Sequence, residues 1–240
     1  MPRPSTLRFL FVPALILALA FVVAACGGGE EKTFLVKYFN ASKMGDNMTL
    51  ANIATVGFDP ARDGQMGTFS ILSSTEDKVT ELELKRHAAD LKALQDQEAE
   101  FSKRKKEYQD ANGEAIDRVL KAEAKGQSVR GRDAEVQAEW AKLREQTAEW
   151  AGKISEARNT LRREQPVVVI STLDARNPVD VLAYDGTLTV REVTIEGNVT
   201  KDGQTSKKKY VVTIERATLK GVHDGQDLVG RWVVTGIKPL

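Results

Sequence analysis

VQAEWAKLREQTAEWAGKISEARNTL, residues 136–161, decides how the rest of the chain is read. Val136, Trp140, Leu143, Thr147, Trp150, Ile154, Ala157 and Leu161 follow one another by alternating steps of four and three. That spacing keeps all eight on one stripe of a helix and predicts a coiled-coil seam with a single polar member, Thr147. An apolar stripe needs a partner, and the preceding residues supply a looser one. Leu94, Phe101, Tyr108, Ala115 and Ala122 recur every seven residues, while the neighbouring column carries Lys105 and Asn112. Gly126 and Gly131, in KGQSVRGRD, break the pattern between the two, and Asp133 is placed to cap the returning helix. The expectation is an antiparallel helical hairpin over 75–165. It opens on a Ser73/Glu76 capping box, has its tip at about 112–132, and is stopped by Pro166. Asn112-Gly113 is a candidate end for the first arm, which would give arms reaching about 50 Å.

The flanks differ in kind from this Glu-, Lys- and Ala-rich centre. In 33–74 the apolar residues Phe34, Leu35, Tyr38, Ala41 and Met44 recur at helical spacing. Gly45 ends that helix, a second follows from Asp46 or Asn47, and TFSILS reads as a strand. In 166–240, VVVIST reads as a buried strand, or the start of one. LTVREVTIEGNVT and KKYVVTIERATL alternate as strands around a turn at Asp202-Gly203, and GRWVVTGIK closes the sheet. Neither flank holds enough apolar material for a core of its own. The chain is therefore α+β: one helix-plus-antiparallel-sheet domain, with three or four strands after the hairpin, interrupted by that hairpin.

Two resemblances sharpen this. FLVKYFNASKMGDNMTLANI (34–53) and GRWVVTGIK (230–238) are similar to the opening helices and last strand of NTF2-like domains. That likeness implies a cone-shaped sheet, with Phe34, Tyr38, Phe58 and Trp232 as candidate pocket liners for a small ligand or lipid. At the N-terminus, Arg3 and Arg8 precede 17 uncharged residues, 9–25, and then Val23-Ala24-Ala25-Cys26, which resembles the bacterial lipobox. The lipobox implies a signal peptide over 1–25, acylation of Cys26, with palmitate as a label for it, and a glycine tether over 26–32. It also implies a lipid-anchored place in the cell envelope. With Gly27 rather than Asp after the cysteine, that place is the outer membrane facing the periplasm if the envelope is Gram-negative. Cys26 is the only cysteine, so no internal disulfide is possible.

The remaining chemistry is sparse. With 35 basic and 34 acidic side chains, no global field favours nucleic acid. Phosphate-binding glycine loops and nucleophile elbows are missing, so no catalytic residue and no cofactor is expected. His223, with Asp224 and Asp227, reads as a turn rather than a metal site, and His87 as a solvated residue of a helix face. Lys103–Lys106 and Lys207–Lys209 are short basic clusters with acidic neighbours, and anionic lipid head groups are the alternative partner for them. Trp140 and Trp150 sit in the seam and are the candidate contact anchors, toward another envelope protein or a second copy. The leading expectation is a non-enzymatic interaction protein. A ligand-binding module is the alternative, and an adaptor of an efflux or secretion assembly is a weaker third.

Overall fold

The computed structural model describes residues 28–240. Cys26, its lipobox and the signal segment therefore lie outside the described residues. The elements in order are α1 (Gly28–Met44), α2 (Asn47–Ala51), α3 (Pro60–Asp63), β1 (Gln65–Ser74), β2 (Lys78–Glu81), α4 (Leu84–Ala124) and α5 (Arg132–Ser171). They are followed by β3 (Gly186–Lys201), β4 (Gln204–His223), β5 (Gln226–Val229) and β6 (Val233–Pro239). The class is α+β, with helices set against one antiparallel sheet. β3 is central: β1 and β2 pair with one side of it and β4 with the other. β5 and β6 pair in turn with separate stretches of β4.

Local chemistry explains most of these elements. α1 ends where Gly45 turns to φ +66, and the Asp46 side chain accepts from the Thr49 N–H to start α2. Asp202 and Gly203 both take positive φ, the conformation a tight two-residue hairpin requires, and they join β3 to β4. Asp224-Gly225 repeats the device between β4 and β5, so GVHDGQDLVG holds a second hairpin rather than a loop.

Three of the sequence expectations need correction. The capping box at Ser73/Glu76 does not form: β1 runs through Ser74, β2 follows, and α4 starts only at Leu84. Val79 and Thr80 pair with Thr189 and Leu188, so sheet pairing takes this segment from the helix. Pro166 does not stop α5, and VVVIST is helix rather than strand up to Ser171. Pro166 lies on the exposed side, while Val167 and Val168 are buried, so packing of the last turns overrides the lost hydrogen bond. Ser171 fixes that end. Its hydroxyl donates to the Arg231 carbonyl and accepts from the Ala217 N–H. Thirdly, Asp133 does not cap α5. Gly131 stands at the cap position, and Asp133 instead pairs with Arg118 across the turn at 2.7 Å.

Burial divides into three clusters. The first lies between α1–α2 and one face of the sheet, and includes Leu35, Tyr38, Phe39, Phe58, Ile195, Val212 and Trp232. Phe39 is at its centre, edge-on to Tyr38, Phe58 and Phe69 with ring centroids 5.2–5.5 Å away. The second is built by α4, α5 and their connection: Phe101, Ala115, Ile116, Val119, Val136, Trp140 and Leu143. The third joins the helix pair to the sheet through Leu84, Leu161, Val168, Ala217 and Leu219. The pair is inserted between two strands that are themselves neighbours. The Leu82 N–H donates to the Gly186 carbonyl at 2.9 Å, so its entry and exit are held together.

Candidate functional site

Two regions carry features that a plain scaffold does not need: the seam of the helix pair, and a groove at the β6 edge of the sheet.

The seam residues predicted from 136–161 face α4. Val136, Trp140, Leu143 and Leu161 are buried, and Trp150 is half-buried, 6.5 Å from the Phe101 ring. The two irregularities seen in the sequence meet each other. Lys105 Nζ donates to Thr147 Oγ1 at 2.9 Å and lies 5.5 Å from the Trp140 ring centre. The misplaced lysine thus keeps its apolar stem in the seam and places its charge on the one polar seam residue. Asn112 is the only residue of α4 with non-helical backbone angles, φ −126 and ψ 17, and its side chain donates to the Tyr108 carbonyl. Asn112 follows Lys105 by seven residues and Trp140 precedes Thr147 by seven, so the kink lies level with the indole. Asn112 thus divides α4 into two helices that meet at a kink, the second a short one running on to Ala124.

The two tryptophans are placed differently. Trp140 is 9% exposed, inside the pair, with no hydrogen-bond partner for its indole N–H among the described residues. Trp150 borders a surface depression of about 410 Å³ together with Thr147, Ala151, Ile154 and Arg158. Lys153 Nζ stands 4.9 Å from its ring.

Of the four candidate pocket liners, Tyr38, Phe58 and Trp232 belong to the first core cluster, and Phe34 packs against it. Phe58 also borders a groove at the surface. This second region was not legible as a site in the sequence. Residues 53–55 bridge β6: the Thr55 N–H donates to the Val234 carbonyl and the Val234 N–H to the Ile53 carbonyl, each at 2.9 Å. Past that bridge a groove of about 720 Å³ lies between the 56–58 segment and the end of β6. Phe58 and Tyr210 border it, edge-to-face at 5.6 Å, with Val56, Ile237 and Pro239. The 56–58 wall is fixed from behind. Tyr38 Oη donates to the Val56 carbonyl at 2.9 Å, and the Ser42 hydroxyl to the Phe58 carbonyl. Burial pushes the Tyr38 phenol far above its ordinary range. Tyr210 is 5% exposed, and its hydroxyl makes no hydrogen bond among the described residues. Burial, and then the nearby Asp63 charge, raise its pKa too. Lys207 and Lys209 face Glu196 at 4.0 and 3.8 Å, but Lys208 and Lys238, at the groove, have no ion pair among the described residues.

A third cluster is structural in its geometry. Glu31, 2% exposed in the first turn of α1, and Asp77, beside β2, both bond Arg191. Arg191 and Arg216 each lie within 5 Å of the Trp232 ring centre, at 4.9 and 4.5 Å. The hydrogen bond from Arg191 holds the Asp77 carboxyl below its ordinary range. His87 is part-buried on α4, 3.4 Å from Glu83.

Among the described residues, no group of three or more His, Cys, Asp or Glu side chains is placed to hold a metal, and no helix is long and apolar enough to cross a membrane. Comparison with family models, with curated proteins and with solved structures finds no match for this chain.

Proposed function

We propose that this chain is a bacterial envelope lipoprotein of the structural or interaction type. It is anchored through acylated Cys26 and uses a coiled-coil hairpin, α4 with α5, as its contact surface. The anchor is supported by the VAAC signature alone: two acyl chains would hold the protein stably at a bilayer. The non-enzymatic reading is supported by the sequence, in which no nucleophile, acid–base pair or phosphate loop is spaced for chemistry. The NTF2-like reading of the remaining domain is supported by α1 and α2 lying across one face of the antiparallel sheet.

The observation that carries the proposal is the flank of Trp150. Trp140 is enclosed by the pair, whereas Trp150 keeps a side open beside Ile154 and Ala151. Tryptophan and arginine are over-represented among the residues that carry the energy of protein contacts, and Trp150 and Arg158 border this depression together. The test is a photo-crosslinking residue at Ala151 in intact cells. A discrete adduct, with a second copy or with one envelope protein, is expected, and Trp150→Glu should remove it. Recovery of uncrosslinked chain alone would reject the hairpin as a contact surface. Radioactive palmitate should enter the wild type but not Cys26→Ala, and a wild type without label would reject the anchor.

A further inference from the structure

We propose that the groove between residues 56–58 and the end of β6 is a binding site for a small amphipathic anion: an apolar chain or ring carrying one carboxylate. It is independent of the hairpin and lies on the opposite side of Phe58 from the filled core.

The walls set the apolar part. Phe58, Val56, Ile237 and Pro239 offer carbon surface, and about 720 Å³ is room for a molecule of ten to twenty non-hydrogen atoms, on the order of a small drug-like ligand. The wall is prearranged, because Tyr38 and Ser42 hold the 56 and 58 carbonyls from the core side. Little ordering of the protein then opposes binding.

The polar groups set the head. Tyr210 is 5% exposed, borders the groove, and has a hydroxyl with no partner among the described residues. The ring is buried while the hydroxyl itself is open to the groove, free to donate to an acceptor that enters it. A phenol is protonated at neutral pH and is therefore a donor there. Lys208 and Lys238 stand at the same groove without counter-charges, while Arg62 is neutralised by Asp63 through two 2.8 Å contacts. With Arg62 and Asp63 offsetting each other, the two lysines leave the charged lining of the groove net positive, which favours an anion over a cation.

A peptide adding as a further strand to β6 is the competing occupant, and the edge argues against it. The Leu240 N–H donates to the Lys209 carbonyl. By the two-residue alternation of an antiparallel ladder, Ile237 and Pro239 are then the outward-turned positions. Pro239 has no N–H to offer, which is how natural edges refuse an added strand.

Calorimetric titration of the full chain in phosphatidylcholine nanodiscs, with empty nanodiscs as the blank, tests this. The probes are octanoate for a lipid-derived acid, 1-naphthoate for an aromatic acid, and octanol as the neutral control. Octanoate or naphthoate should bind with a dissociation constant on the order of 0.1–1 mM, the range that ligand-efficiency bounds allow for about ten non-hydrogen atoms. The tighter of the two names the source. Tyr210→Phe, which keeps the ring and the fold, should weaken binding at least about 10-fold, the loss of one hydrogen bond to a charged group. Lys208→Gln with Lys238→Gln should weaken it about 2- to 5-fold and remove its salt dependence. Failure of both acids to bind, equal binding of octanol, or a Tyr210→Phe protein that binds as wild type would each overturn the proposal.

Discussion

The sheet body and the helix pair are held together in different ways. In the body, Phe39 touches three other aromatic rings, and buried residues converge on it from α1, from the 53–58 segment and from several strands. In the distal helix pair, the buried residues form one narrow stripe, within which Lys105 bonds Thr147, while Arg118 and Asp133 pair beside it across the turn. The body is a three-dimensional core in which every element depends on the others. The pair is closer to a ladder, where each rung depends on its neighbours. The difference teaches that equal damage should spread in the first and stay local in the second.

The largest effect should come from Phe39→Ala. Removing a fully enclosed ring costs about 3–5 kcal/mol, and chemical denaturation should show the whole chain losing its sheet in one transition. Trp140→Ala comes next, at about 3 kcal/mol for a large buried side chain. Here hydrogen exchange should rise over 101–150 while β3 and β4 keep their protection. If both regions lose protection together, the two units are one cooperative block and the contrast fails. Regularising the seam should act in the opposite direction. Lys105→Leu with Thr147→Leu removes the polar rung and should raise the stability of the pair by about 1 kcal/mol, at the cost of register specificity.

The smallest effect concerns the start of β2. Asp77 has its folded pKa depressed by Arg191, so its contribution to stability is present above the ordinary carboxylate value and is lost as pH falls through the folded value. Acidification from neutral should therefore loosen residues 75–81 before the central strands, measurable as faster amide exchange there. In Arg191→Met that dependence should flatten. An acid response confined to the helix pair instead would place the weak point of the molecule on the wrong side of the comparison.

How far the sequence foretold this follows from the range of the forces involved. The seam over 136–161 and the α1–Gly45–α2 opening were legible because spacing and capping act within a few residues. The Asp202-Gly203 hairpin was legible for the same reason. β2 was not, because its four residues owe their conformation to pairing with Thr187–Val190, more than a hundred positions away. The last turns of α5 were misread because VVVIST has β-forming residues and follows a proline. Contacts of Val168 and Ser171 with the sheet decide its form. The groove at β6 was invisible, since its walls come from residues 56–58, 210 and 237–239 and meet only in space. Phe58 was marked, yet its partner Tyr210 carried no signal beyond being an aromatic in a strand.

The short bridge between Leu82 and Gly186 has one more consequence. Because the sheet closes at that neck, the inserted helices can gain or lose matched turns without shifting a single strand pairing. Reach and foundation are thus free to evolve separately, and the length of the helix pair can change by recombination within its two helices alone.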